Sequence, residues 1–119
     1  MKRNNIIQDK SFAFAIRIVK LYKYLVEERK EFILSKQLLR AGTIIGANVE
    51  EAIGGQSRKD FISKISIAYK EARETIYWVK LLKATEYTQE KEADSIMNDA
   101  EELCKILSSI LVSSKITNS

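Results

Sequence analysis

Apolar residues recur at helical spacing along four long stretches of this chain, and no proline interrupts any of them. Proline fixes φ and removes a backbone donor, so its absence leaves long helices unbroken. No stretch alternates apolar and polar residues between turn formers, so strands are not expected. The 119 residues suit one domain with one core. Loops of a few residues set successive helices antiparallel. The expected fold is therefore all-α: an antiparallel up-down-up-down four-helix bundle over residues 1–119. A short N-terminal arm precedes it, and the tail is expected to fray from about Ser113.

The first helix is expected from about Lys10 to Arg29. It carries two apolar stripes, Phe12, Ala15, Ile16 and Val19 with Val26, and Phe14, Ile18, Leu21 and Leu25. So wide a face predicts cover on more than one side. The second helix starts with Ser35 as N-cap and ends at Gly54-Gly55, where glycine permits a left-handed cap. Inside it, Gly42 and Gly46 each cost ~1 kcal/mol against alanine. Close approach of a neighbouring helix is the simplest offset.

The third helix has the clearest start: in Ser57-Arg58-Lys59-Asp60 a serine N-cap precedes an acidic N3 residue. Phe61, Ile65, Ala68, Ala72, Ile76 and Val79 make its core stripe, and the helix runs to about Ala84. A second apolar group, Ile67, Tyr77, Trp78 and Leu81, lies roughly opposite and is the candidate oligomer interface. The fourth helix follows Thr88 as N-cap, with Glu90 and Glu92 in its first turn, where the helix dipole favours anions. Ile96, Ala100, Leu103, Leu107, Ile110 and Leu111 form its buried face. Cys104 at the edge of that face reads as a small apolar residue.

The chain has no histidine, which removes the usual neutral-pH base and the commonest transition-metal ligand. Its single cysteine suits a reducing compartment, and no apolar run reaches membrane-span length. A soluble cytoplasmic protein without a membrane partner is expected. Glu71-x-x-Glu74 puts two carboxylates on one helix face, and Glu50-Glu51 is a second acidic pair. Without histidine such a site needs all-oxygen ligation, as for Mg or Ca; the plainer reading is ion pairing with neighbouring Lys and Arg. Gly54-Gly55-Gln56-Ser57-Arg58-Lys59 lacks the spacing and the preceding strand of a phosphate loop, and reads as a turn. No catalytic residue, metal ligand or cofactor is assigned, and the expectation is not an enzyme.

Charge is uneven. Residues 1–36 carry +5, residues 37–85 carry +3 and residues 86–119 carry −4, within a net +4. The acidic end can pair with basic surface in the fold or in an assembly, and the remaining basic surface can attract a polyanion. Lys59, Lys70, Arg73 and Lys80 fall within an arc of about 80° on the third helix. Lys10, Arg17, Lys20 and Lys23 fall within about 140° on the first. Tyr69, Tyr22 and Tyr24 lie nearby on those helices. Cations interleaved with aromatics can hold nucleic acid through phosphate contacts and stacking.

The central stretch reads Ser35-Lys36-Gln37-Leu38-Leu39-Arg40-Ala41, then Ile45-Gly46-Ala47-Asn48-Val49-Glu50-Glu51-Ala52. Ser57-Arg58-Lys59-Asp60-Phe61 and Ile65-Ser66-Ile67-Ala68-Tyr69-Lys70-Glu71-Ala72-Arg73-Glu74-Thr75 follow. This pattern closely resembles the bacterial four-helix bundle proteins encoded in intervening sequences of 23S ribosomal RNA genes. The resemblance implies a homo-oligomer, typically a pentamer, of largely unknown molecular function. It extends to the accessory protein of diversity-generating retroelements, which implies RNA or DNA and a reverse transcriptase, or another nucleic-acid enzyme, as partners. Arg40, Asn48, Glu50, Asp60, Phe61 and Glu71 occupy the family's motif positions, with Arg40 and Glu50 implied to fix helix or subunit register. The family's short Asn-Ile-Ala-Glu-Gly ending is replaced here by Asn48-Val49-Glu50-Glu51-Ala52-Ile53-Gly54-Gly55, which leaves Glu51 as the alternative to Glu50. Three readings remain: a nucleic-acid-binding oligomeric scaffold, a purely structural or adaptor bundle, and, behind both, a carboxylate-metal enzyme.

Overall fold

The computed structural model describes residues 2–118, and the side chains of 6–115. It contains α1 (Lys2–Glu27), α2 (Leu34–Ile53), α3 (Arg58–Ala84) and α4 (Glu90–Asn118). Each helix packs on its neighbour in sequence and α4 closes on α1, while the backbones of the diagonal pairs α1/α3 and α2/α4 stay more than 8 Å apart between Cα atoms. The result is an antiparallel four-helix rod of 48 × 21 × 20 Å. Helix α1 begins well before Lys10, over the residues expected as an arm, and α4 runs on past Ser113.

The core takes one stripe from each helix. Ile7, Ile18, Leu25, Leu38, Ile45, Ile65, Leu82, Ile96, Leu103 and Leu107 are its largest fully buried members. On α1 only one of the two expected stripes is inside. Phe14, Ile18, Leu21 and Leu25 are buried, whereas Phe12, Ile16 and Val19 are 68%, 43% and 37% exposed. The second side of α1 is left uncovered among the described residues. On α3, Ile65, Ala68, Ala72, Thr75, Val79 and Leu82 are buried, with Phe61 and Ile76 packed at the margin.

The two internal glycines of α2 differ. A Cβ built at Gly42 would stand 2.6 Å from Cγ1 and 2.8 Å from Cγ2 of Ile18, so α1 comes too close there for any side chain. At Gly46 the nearest atoms, the Ser11 carbonyl and hydroxyl oxygens, lie at 3.5 Å, an ordinary contact. Only Gly42 has the expected steric reason.

Helix ends depart from the sequence reading in three places. Helix α2 starts at Leu34, and Ser35 is not its cap. Instead the buried Glu31 carboxylate accepts the N–H groups of Ile33, Leu34 and Ser35 at 3.2, 3.0 and 2.6 Å, while the Ser35 hydroxyl donates to the Glu31 carbonyl at 2.8 Å. Burial pushes the Glu31 carboxyl up, but these hydrogen bonds outweigh it and hold its pKa below the usual carboxylate value. Gly54 is right-handed at φ −83, and the left-handed positions are Lys30 and Glu86, just beyond α1 and α3. Thr88 does not cap α4: its Oγ1 is buried without a hydrogen-bond partner. At the start of α3 the reading holds, with the Ser57 hydroxyl accepting the Asp60 N–H at 3.0 Å.

Candidate nucleic-acid interface

The outward face of α3 is set by its packing. With its buried stripe against α2 and α4, Lys59, Lys70, Arg73 and Lys80 are left exposed, with Tyr77 at 56% exposure among them. Lys59, Lys70 and Lys80 have no ion-pair partner among the described residues. Arg73 leans on Tyr69, its guanidinium carbon 6.0 Å from the ring centroid and Nη1 donating to the hydroxyl at 3.4 Å. That hydrogen bond raises the Arg73 pKa further, so the group is a fixed cation.

Sequence reasoning missed Lys105. It sits in the acidic segment, where charge counting hides it, yet it lines a shallow cavity of about 420 Å³ with Tyr69, Cys104, Ser108 and Ser109. Its signal was positional: α4 packs on α3, which brings Lys105 to the edge of the α3 basic face. Cys104 in the same cavity is half-buried rather than core, and burial raises its pKa, with Arg73 opposing. The thiol is protonated at neutral pH and is a poor nucleophile.

The α1 cations do not join this surface. Helices α1 and α3 are diagonal, so their outer faces point away from each other. Arg17 is engaged with α4, Nη1 on Asp99 at 2.7 Å and on Ser95 at 3.1 Å, and Nη2 on Glu92 at 2.8 Å. Lys10 pairs with Glu102 at 3.2 Å. Lys20 and Lys23 remain exposed and unpaired among the described residues. The acidic end of the chain is thus largely matched inside the bundle, by α1 and by Lys83, which bonds Asp94 at 2.7 Å. Left without a carboxylate partner among the described residues are Lys59, Lys70 and Lys80 on α3, and Lys20 and Lys23 on α1.

Two of the motif residues, Arg40 and Glu50, bridge neighbouring helices. Arg40 of α2 bridges Glu71, at 3.1 Å, and Glu74 of α3. The Trp78 indole donates to the same Glu74 carboxylate at 2.9 Å. Glu71 and Glu74 therefore hold a guanidinium between them, the ion-pair reading of that spacing. Glu50 accepts from Gln8 of α1 at 2.8 and 3.0 Å, whereas Glu51 pairs with Lys64 of α3 at 3.0 Å. The two adjacent carboxylates serve opposite seams, and Glu50 ties α2 to α1. Asn48, buried, donates to the Ile44 carbonyl of its own helix at 3.0 Å. Of the candidate oligomer group, Ile67 and Tyr77 are exposed and Trp78 and Leu81 half-buried. Among the described residues no cluster of three or more His, Cys, Asp or Glu suits a metal ion, and no helix is long and apolar enough to cross a membrane.

Fold and surface together define a compact antiparallel four-helix bundle protein with ion pairs between its helices and a basic outer face on α3. Residues 3–109 match the family described as 23S rRNA-intervening sequence protein, and the chain belongs to that family. It is similar to the crystal structure of a protein of unknown function from the S23 ribosomal protein family of Bacteroides thetaiotaomicron. The two are 56% identical over 92% of this chain and 97% of the other, with a TM-score of 0.90. Comparison with curated proteins gives no match.

Proposed function

We propose that this protein is a non-enzymatic, self-associating bundle whose α3 face holds the backbone of a nucleic acid. It would serve as a scaffold or as the accessory subunit of a nucleic-acid enzyme such as a reverse transcriptase. The observation that carries this reading is the unmatched cation set on α3. Salt bridges take up Lys10, Arg17, Arg40, Lys64 and Lys83, whereas Lys59, Lys70 and Lys80 have no carboxylate partner among the described residues. Tyr77 supplies an exposed ring among them for stacking. Self-association, for which the resemblance implies a ring of five, multiplies a modest patch. The carboxylates that a metal enzyme would use are engaged by Arg40, Gln8 and Lys64, which supports the non-enzymatic reading.

Fluorescence anisotropy with labelled single- and double-stranded RNA and DNA tests it. About four phosphate contacts per subunit predict a slope of log K against log salt near −3. No binding in ~20 mM salt, with or without a polymerase partner, would overturn the reading. The second reading, a structural or adaptor bundle, draws on the exposed Phe12, Ile16 and Val19. It predicts assembly without salt-sensitive nucleic-acid binding.

A further inference from the structure

Thr88 stands two residues before α4, where a helix cap belongs, and caps nothing. It is 8% exposed, and its Oγ1 is the one buried side-chain polar atom without a hydrogen-bond partner among the described residues. The start of α4 is left open as well. The Ala93 N–H reaches the Gln89 carbonyl at 3.0 Å, while those of Glu90, Lys91 and Glu92 have no acceptor among the described residues. Such N–H groups carry the positive end of the helix dipole. A cavity of about 420 Å³ lies between this end of α4 and α1, and Thr88 lines it. Leu21 and Ile96, both buried core residues, give it an apolar wall together with Tyr24. A concave apolar site of this size with a few polar groups is the usual form of a small-molecule site.

The unused polar groups decide what can lie there. Lys20 lines the cavity and has no ion-pair partner, and the Tyr24 and Thr88 hydroxyls make no hydrogen bond among the described residues. Ammonium, hydroxyl and helix N–H groups can all donate, so the matching group is a carboxylate, which only accepts. Arg17 is already taken by Glu92 and Asp99, and the Glu92 carboxylate lines the same cavity. That charge repels a second negative charge on a ligand, which favours a monoanion over a phosphate dianion. The hollow on the other side of Thr88 offers no such wall, since Ala84 is its only apolar lining residue. We propose that the cavity between α1 and the start of α4 binds a small monocarboxylate with an apolar body. Lys20, the Thr88 hydroxyl and the α4 N–H groups hold the carboxylate, and the body lies on Leu21, Tyr24 and Ile96. This site is independent of the nucleic-acid reading of α3.

The test titrates the full chain into β-naphthoate, a fluorescent monocarboxylate, and into its neutral near-isostere β-naphthamide, with binding read by fluorescence anisotropy. Naphthoate should bind at least about tenfold more tightly than the amide, the equivalent of one charge-assisted hydrogen bond. Lys20→Gln should weaken naphthoate about tenfold and leave the amide within about twofold. Lys23→Gln removes an unpaired α1 lysine that does not line the cavity, and should change neither by more than about twofold. Thr88→Val removes the hydroxyl and keeps the shape. It should weaken naphthoate about fivefold without lowering the melting temperature of the free protein, because no hydrogen bond is lost there. No naphthoate binding at about 2 mM, equal affinity for the amide, equal losses at Lys20 and Lys23, or unchanged binding in Thr88→Val would each overturn the site. A free Thr88→Val protein that melts lower would overturn it too, by showing that the hydroxyl already has a partner.

Discussion

Gly42 and Gly46 are four residues apart on one helix, yet alanine should act on them in opposite directions. In a helix interior alanine gains about 1 kcal/mol over glycine. At Gly46 the added methyl meets only Ser11 oxygens at 3.5 Å, so most of that gain should survive. At Gly42 it meets Ile18 Cγ1, Cγ2 and Cβ at 2.6, 2.8 and 3.1 Å. These are the stiff branched carbons of a fully buried side chain, whose χ1 is restricted. Overpacking costs about 1–3 kcal/mol. Gly42→Ala should therefore lose up to about 2 kcal/mol net, and Gly46→Ala should gain up to about 1. At about 4 °C per kcal/mol for a chain of this length, the two melting temperatures should separate by up to about 12 °C. Urea denaturation followed by circular dichroism measures the difference at constant m-value. The decisive variant adds Ile18→Ala, which removes the obstructing carbons. In that background Gly42→Ala should become neutral or stabilising. An unchanged penalty there, giving an additive cycle, would refute the steric account.

The Glu31 cap predicts a pH-dependent loss. Glu31→Gln should cost about 1–2 kcal/mol at pH 7, since a neutral amide replaces a carboxylate that accepts three N–H groups. The folded-state pKa is lowered, so the carboxylate's contribution is complete above the unfolded value of about 4.3 and disappears as pH falls through the lower folded value. Urea midpoints of the two proteins should thus converge in strong acid; a difference that widens there would be inconsistent with this sign. Arg40 predicts a smaller stability change with a clear optical signature. Arg40→Ala should lose only about 1 kcal/mol, because the guanidinium is partly exposed, but it releases the carboxylate that anchors Trp78, the only tryptophan. Its emission should shift, and Arg40→Lys should not restore it, because an ammonium lacks the planar fork that spans both carboxylates.

Much of the fold can be read from local pattern, and the failures share one cause. Ser57 caps α3 because its partner N–H is three residues away in the chain, and the core stripes of α3 and α4 follow from their period, with Phe61, Ile76 and Leu111 half-buried at the margin. On α1, two stripes have equally good spacing, and only the position of α2 and α4 decides that Phe14 is buried and Phe12 is not. Glu31 was missed because its loop folds a charged side chain inward, against the usual rule that carboxylates stay in water. The site divides the same way. The α3 cations are legible as an arc on one helix. That Arg17 is engaged while Lys59 has no ion-pair partner among the described residues depends on which acids α4 brings alongside α1, a tertiary fact. Lys105 belongs to the basic face only because α4 packs beside α3.

The claim that α3 presents the nucleic-acid surface is tested most directly by comparing two faces of one bundle. Lys59→Ala, Lys70→Ala and Lys80→Ala combined remove the unmatched α3 lysines; Lys20→Ala with Lys36→Ala removes unpaired lysines from elsewhere on the surface. Binding of labelled RNA is followed for both and for wild type across a salt series. The α3 variant should lose about two to three units of the log–log slope, while the control variant keeps most of it. Equal losses in the two variants, or an unchanged slope in the α3 variant, would contradict the account.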